Sequence, residues 1–294
     1  MGLTLPGSLS PSKITSFKSC ALAFRFSVID QLPEAPSPAA SKGTLVHRCL
    51  QLLMSRPPEQ RSIENALEDL DSARIELAEH PEFALLELTE DQWFEFHASA
   101  ATLVRRYFEM EDPASIRPIG LELMLTAQLG RVTLRGIIDR LELDDDGELV
   151  VTDYKTGAVP AAQYEQSRLL GVHFYALLCE QVLGRRPSRV QLLYLSAPET
   201  IVNVPTQQSV QGMERKAIAA WAAIERACAE EDFRPNKGPL CNWCSFKPYC
   251  PAWGGDPAQA FQFFSQIVAK RADLMVQNLG SHDPLFRRAI NREK

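Results

Sequence analysis

Two runs of alternating apolar and polar residues, at 119–129 and 131–143, most constrain what this chain can form. They are separated by a connection that contains Gly130, and this arrangement is typical of a β-hairpin. An aspartate-rich turn at 144–147 leads into a third apolar run at 148–154. The sequence therefore predicts an antiparallel meander that needs further elements to cover it.

Helical patterns precede and follow this meander, so we predict an α/β fold with a small mixed central sheet flanked by helices. The stretch 31–43 contains three prolines and predicts a loop. Helices are predicted at 12–26, 44–54, 162–183 and 208–231, with two or three more between 62 and 110, and a fourth strand at 189–195. The predicted segments are N-terminal helices at 1–58, an acidic and solvated helical insertion at 59–112, the core at 113–232, a cysteine segment at 233–254 and a helical tail at 255–294.

Composition sets aside membrane-spanning and disordered classes. Of the 294 residues, 45% are hydrophobic, and no apolar run reaches the roughly 20 residues of a membrane helix. The first twelve residues lack the pattern of a signal peptide, so we expect a cytoplasmic protein with no membrane association. The net charge of −6 does not exclude nucleic acid, because 15 acidic and 4 basic side chains fall within 59–112 and leave the rest net positive.

Two carboxylates in the meander suggest a metal site. Asp139 and Asp153 are expected to end neighbouring strands, where both could reach one point at the sheet edge. Oxygen ligands of this kind suit Mg²⁺ or Mn²⁺. Lys155 shares a face with Asp153 and could orient an attacking water beside a phosphate. The plainer alternatives are a surface ion pair of Asp139 with Arg140 and a strand-end cap at Asp153.

Four of the seven cysteines suggest a second metal site. Cys241, Cys244 and Cys250 fall within ten residues, and Cys20 lies near the other end of the chain. In a reducing compartment such a group favours metal or iron–sulfur ligation over disulfides. Cys20 as fourth ligand would close a loop of more than 200 residues. Zinc stays an alternative, although four-cysteine zinc sites usually come as two close pairs.

Several ordered motifs together resemble the PD-(D/E)XK nucleases, specifically their RecB-like exonuclease branch with a four-cysteine cluster. The match spans roughly residues 9–254, with the acidic helical region as its main filler. The motifs are Leu9–Ile14 followed by Cys20, Gly43–His47 in the pattern GxxxH, Gly136–Arg140, Asp153–Gly157, and the cysteines at 241, 244 and 250.

This resemblance implies a restriction-endonuclease-like core and assigns roles to individual residues. His47, Asp139 and Asp153 would bind Mg²⁺ or Mn²⁺ together with the backbone carbonyl of Tyr154, and Lys155 would be the catalytic lysine. The cysteines Cys20, Cys241, Cys244 and Cys250 would hold a [4Fe–4S] cluster that acts as a structural staple.

One motif of the branch is incomplete. The helix after the Asp-Tyr-Lys strand commonly carries Gln-x-x-x-Tyr, and Tyr175 fits its tyrosine. Position 171 is glycine rather than glutamine, and Gln166 is near but at a different spacing. The supporting role of the glutamine is therefore lost or supplied by another residue.

The resemblance implies hydrolysis of single-stranded DNA or DNA ends in repair or recombination. Because the sequence has no GxxxxGK[ST] motif, any helicase motor or further repair protein would be a separate partner. A rival reading is a catalytically inactive DNA-binding or scaffold subunit that keeps the fold and the cluster. A third is a zinc-stapled protein unrelated to nucleic acid.

Overall fold

The computed structural model of the protein describes residues 2–159 and 165–260, with the backbone alone at 165–168. The helices are α1 (Pro11–Ser19), α2 (Ala21–Phe24), α3 (Pro38–Ser55), α4 (Ile63–Leu77), α5 (Pro81–Ala84), α6 (Glu90–Met110), α7 (Glu165–Leu183) and α8 (Gln207–Glu230). The strands are β1 (Pro118–Leu129), β2 (Val132–Leu143), β3 (Leu149–Lys155), β4 (Arg189–Tyr194) and β5 (Glu199–Asn203). A π-helix at Arg25–Ile29 continues α2, and short 3₁₀ turns lie at Pro58–Gln60, Pro113–Ser115, Pro239–Trp243, Lys247–Tyr249 and Pro251–Trp253. Within the described residues, no helix has the length and apolar character needed to cross a membrane.

The described strands form one mixed sheet in the order β1-β2-β3-β4-β5. Only β3 and β4 pair in parallel, because α7 connects them as a crossover, and the other neighbours are antiparallel. The predicted meander is confirmed. The edge strand β5 was not predicted, because it is short and most of its side chains are exposed.

The contacts between residues divide the protein into two compact units. The larger unit contains Leu5–Thr15 and Ala35–Arg226 and includes the whole sheet. The described part of the smaller unit covers 2–4, 16–34 and 227–260. In the smaller unit, the first predicted helix is interrupted at Cys20, whose backbone is extended (φ −161°, ψ 108°). Cys20 is the N-cap residue of α2.

Two local differences from the sequence-based expectations concern helices of the larger unit. Helix α3 begins at Pro38, inside the predicted loop, because proline is well tolerated in the first turn of a helix. The acidic region 59–112 is not simply solvated, because α4 and α6 pack against α3. Their apolar faces contribute Leu70, Val104 and Tyr107 to the same buried cluster as Tyr154.

Candidate metal centre

The centre of the site is a row of three carboxylates across β1, β2 and β3. Leu121 pairs with Arg140 and Leu123 with Ile138, so Glu122 on β1 lies opposite Asp139 on β2. Arg140 pairs in turn with Thr152, which puts Asp153 of β3 next to Asp139. Asp139 therefore lies within its strand rather than at its end, because β2 extends beyond β3 to pair with β1.

Helix α3 brings His47 to this row. Gly43, one turn before His47, allows a close approach, since a Cβ atom there would lie 3.2 Å from the Thr156 hydroxyl at the end of β3. The Nε2 atom of His47 lies 3.0 Å from the carbonyl oxygen of Tyr154. A carbonyl can only accept, so Nε2 carries the hydrogen in this arrangement. Its other ring nitrogen, Nδ1, lies 3.5 Å from Asp139 Oδ2 and 4.0 Å from Glu122 Oε1.

The ligand atoms of His47, Glu122 and Asp139 all lie within 4.8 Å of one another, which is a suitable donor set for a divalent cation. Asp139 Oδ2 also accepts a hydrogen bond of 2.7 Å from the backbone amide of Tyr154. This bond fixes the carboxylate relative to the Tyr154 carbonyl. The sequence analysis did not identify Glu122 as a candidate ligand. The hairpin turn contains the signal for it, since counting residues back from the turn pairs position 122 with position 139.

Asp153 and Lys155 form an ion pair beside this set. The ammonium group of Lys155 contacts Asp153 Oδ2, as the two-residue spacing on a strand predicts. The Asp153 side chain is 5% exposed and that of Lys155 is 43% exposed. Burial would lower the pKa of Lys155, but the charges of Asp153 and Asp139 raise it, so the lysine stays charged.

Burial and neighbouring carboxylates raise the pKa values of Glu122 and Asp153, and the carboxylates raise that of His47. Burial, and then the charge of Asp139, raises the pKa of Glu122. Burial and Asp139 likewise raise the pKa of Asp153. Burial would lower the pKa of His47, but Asp139, Asp153 and Glu122 together raise it. The site thus concentrates negative charge that a bound cation would neutralise.

Tyr175 of α7 lies against the carboxylates. Its pKa is raised by burial first and then by Asp153 and Asp139. The close approach depends on Gly136, where a Cβ atom would lie 2.8 Å from Leu178 and 3.3 Å from the Tyr175 ring. The side chain of Gln166 lies outside the described residues. At Gly171, one turn before Tyr175, an added Cβ would meet no atom within 4 Å.

A buried arginine next to Asp139 in the sequence connects the strands of the site to α6. Arg140 is fully buried and forms an ion pair with Glu111, at the end of α6, through two hydrogen bonds of 2.8 Å. Its Nη1 also donates to the Tyr154 hydroxyl at 3.0 Å, and its Nη2 donates to the Thr152 hydroxyl at 3.0 Å. The alternative of a surface ion pair between Asp139 and Arg140 is therefore wrong, because the guanidinium is buried in the core.

The predicted cluster cysteines all belong to the smaller unit. The Sγ atom of Cys20 accepts from the Asn236 amide at 3.5 Å, and that of Cys241 accepts from the Gly238 amide at 3.4 Å. The pKa of Cys244 is raised by burial and also by the other three cysteines, so the four thiols are electrostatic neighbours. Among the described residues, no three of their sulfurs lie within 4.8 Å of one another.

Comparisons with known proteins identify a family and a similar solved structure. The family model of the PD-(D/E)XK nuclease superfamily matches residues 8–251. A solved structure from Eubacterium rectale, named "Putative exonuclease", is similar with a TM-score of 0.55 and 13% identity over 81% of this chain and 86% of that one. The structure named SSO0001 matches with a TM-score of 0.40 and 11% identity over 85% and 88% of the two chains. No curated protein matches the sequence.

Proposed function

The chain belongs to the PD-(D/E)XK nuclease superfamily, and from that premise we propose that it is a Mg²⁺- or Mn²⁺-dependent deoxyribonuclease. The observation that carries this proposal is the convergence of His47, Glu122 and Asp139 within 4.8 Å, beside the Asp153–Lys155 ion pair. We propose single-stranded DNA or DNA ends as substrate, in repair or recombination in the cytoplasm, alongside a separate helicase or repair protein.

In this proposal each residue has one role. His47, Glu122, Asp139, Asp153 and the carbonyl of Tyr154 bind the metal ion. A bound Mg²⁺ or Mn²⁺ would lower the pKa of a coordinated water and offset phosphate charge. Lys155 stays protonated, orients the attacking water and stabilises the negative charge that develops as the water oxygen bonds to phosphorus and the ester P–O bond breaks. The proton of the water is released to solvent, and the departing ester oxygen takes a proton from solvent.

The test is cleavage of end-labelled single- and double-stranded DNA by anaerobically purified protein in Mg²⁺, Mn²⁺ or EDTA. We expect metal-dependent cleavage that falls about 100- to 1000-fold in Asp153→Ala and Lys155→Ala, because removing one group that stabilises transition-state charge costs about 10²–10³. The matched control Lys216→Ala removes an exposed lysine of α8 in the larger unit. Cleavage that survives both active-site changes would contradict the proposal.

An inactive DNA-binding subunit remains a second candidate function, favoured by Gly171 in place of glutamine. The space around Gly171 would admit a longer side chain. If the missing amide limits turnover, Gly171→Gln raises the cleavage rate of the wild type. If the wild type binds DNA but cleaves none in any metal, and Gly171→Gln restores cleavage, the second candidate is correct.

We also propose that Cys20, Cys241, Cys244 and Cys250 hold a [4Fe–4S] cluster. One observation supports it: backbone amides donate hydrogen bonds to two of the sulfurs. Such hydrogen bonds are typical of cluster thiolates. A tetrahedral zinc ion would need sulfurs about 3.8 Å apart, given Zn–S bonds of about 2.3 Å. The spacing of the cysteines along the sequence favours the four-iron cluster over zinc, because four-cysteine zinc sites usually come as two close pairs.

A further inference from the structure

A cavity of about 460 Å³ opens where β1 begins. It is lined by Arg61, Arg117 and the strand residues 118–121, with Met54 on one side. Leu121, at its edge, directly precedes Glu122 of the candidate metal centre. The cavity and the metal centre are therefore neighbours on the same strand.

Arg61 is the fixed part of this cavity. It is only 8% exposed, and its donors bind neutral carbonyl groups. Nε donates to Arg56 at 2.9 Å, and Nη1 donates to Pro113 at 3.0 Å and to Ile116 at 2.9 Å. Across residues 2–159 and 165–260, no partner is found for Nη2 and no carboxylate forms an ion pair with this guanidinium. A nearly buried positive charge is thus held in position by carbonyl oxygens, with no carboxylate of the described residues in ion-pair contact.

Arg117 provides a second guanidinium at the exposed mouth. Its Nη1 donates to the carbonyls of Ala114 at 2.8 Å and Ile116 at 3.0 Å, again neutral acceptors. Burial lowers the pKa of Arg61, and the charges of Arg117 and Arg140 lower it further, while Tyr107 and Glu59 act in the opposite direction without reversing the shift. A bound anion would relieve this repulsion between like charges.

We propose that this cavity is a phosphate-binding subsite that holds the nucleic-acid strand next to the metal centre. Two guanidinium groups match the oxygens of a phosphate. Arg61 has its Nη2 left to donate, and Arg117 has Nε and Nη2, which can donate two parallel hydrogen bonds. The apolar walls from Met54 and Leu121 fit the sugar or base attached to that phosphate. The inference deepens the proposed nuclease function and rests on it for the identity of the ligand.

The test measures strand binding without cleavage. A fluorescein-labelled oligothymidylate of twelve nucleotides is titrated with Asp153→Asn protein in EDTA, by fluorescence anisotropy at several salt concentrations. Arg117→Glu is compared with Arg131→Glu, which makes the same charge change at an exposed site in the β1–β2 turn. Arg117 is itself exposed, so we expect both variants to fold.

We expect Arg117→Glu to weaken binding about tenfold and to reduce the slope of log affinity against log salt by about 0.7, the value for one single-strand phosphate contact. Arg131→Glu should stay within about twofold of the parent, since it removes no phosphate contact. Equal effects of the two changes, or no effect of Arg117→Glu, would overturn the subsite.

Two competitors separate a strand from a free nucleotide. Inorganic phosphate and thymidine monophosphate are added to the same titration. If either binds in an Arg117-dependent way while oligonucleotide affinity is unchanged by Arg117→Glu, the assignment to a strand is wrong. If Arg117→Glu weakens strand binding but no metal supports cleavage, the subsite stands and the nuclease proposal fails.

Discussion

Glu122 adopts a left-handed backbone conformation with φ of 45°, which a glutamate in a strand rarely takes. Such a conformation costs on the order of 1–3 kcal/mol and persists where surrounding structure requires it. Here it coincides with a side chain that adds a third carboxylate beside Asp139 and His47. The strain and the crowding of like charges both point to a binding role for Glu122 rather than a stabilising one.

Glu122→Gln separates these two roles. Removing one of several crowded carboxylates should leave the melting temperature of the metal-free protein equal or higher, because like-charge repulsion falls. The Mn²⁺ concentration that gives half-maximal cleavage should rise about tenfold or more, as expected for weakened metal coordination. The control Glu199→Gln changes an exposed edge-strand carboxylate. Lower stability with an unchanged metal requirement would contradict a ligand role.

The titration of His47 and Glu122 predicts how metal binding depends on pH. Both pKa values are raised in the metal-free protein, and metal binding requires neutral imidazole and ionised carboxylate. Mn²⁺ affinity should therefore increase as pH rises from 5.5, by about tenfold per pH unit for each proton released. The affinity should level off above the pKa of His47. Calorimetry in two buffers with different ionisation enthalpies counts those protons. Affinity independent of pH would exclude His47 as a ligand.

The same shift affects the stability of the metal-free protein. The pKa of His47 in the folded protein lies above its unfolded value of about 6.5. Its contribution to the free energy of unfolding is therefore complete below about pH 6.5 and is lost as the pH rises through the folded pKa. Thermal melts of metal-free protein should show this loss between neutral and mildly alkaline pH. Saturating Mn²⁺ should reverse it.

At the scale of elements, two contacts set the position of the candidate metal centre on the sheet. Gly136 lets α7 approach β2 closely enough for Tyr175 to reach the carboxylates. Glu111, at the end of α6, pairs with Arg140 and so connects that helix to β2 and, through Tyr154, to β3. The acidic helical region therefore supports the site, although it contributes no ligand.

Glu111→Gln tests this support. Arg140 keeps a second carboxylate, Glu142, 2.8 Å from its Nε, so the change removes charge-assisted hydrogen bonds without leaving the buried guanidinium unpaired. The free energy of unfolding should fall by about 1.5–3 kcal/mol. The control Glu148→Gln removes the exposed ion pair with Arg185 and should cost no more than about 1 kcal/mol. Urea denaturation measures both. Equal costs would mean that Glu111 is a surface partner without a structural role.

At the scale of the whole molecule, the four predicted cluster ligands come from two distant parts of the chain. Cys20 and the cysteines at 241, 244 and 250 all lie in the smaller unit, whose described segments are short and separate in sequence. A shared cluster would join them covalently and restrict the unfolded chain, as a crosslink over a loop of this length does.

Cys20→Ser tests the cluster. Anaerobically purified wild type should be brown and absorb near roughly 400 nm, and the variant should lose this absorbance and unfold about 5 kcal/mol more easily, by analogy with a crosslink closing a loop of this length. Cys49→Ala alters a core cysteine of the larger unit and should keep the colour while losing some stability. A colourless wild type that contains zinc would contradict the iron–sulfur proposal.

Much of the site could be predicted from short-range sequence patterns. The period-2 alternation of strands sets Lys155 and Asp153 on one face, and the turn after Leu129 pairs β1 with β2 in the observed register. That register also determines the pairing of Glu122 with Asp139, although this consequence was not drawn from the sequence. The helical spacing of Gly43 and His47 follows equally from local geometry.

What the sequence by itself determined are the meander, its register and the local spacings, because backbone hydrogen bonding and side-chain periodicity act over a few residues. Only the tertiary structure decided that His47 meets Tyr154, that Glu111 pairs with Arg140, and that Arg61 is nearly buried with carbonyl oxygens as its hydrogen-bond partners. These contacts join residues 29 to 107 positions apart or depend on burial. They arise from how helices pack on the sheet, which no local pattern specifies.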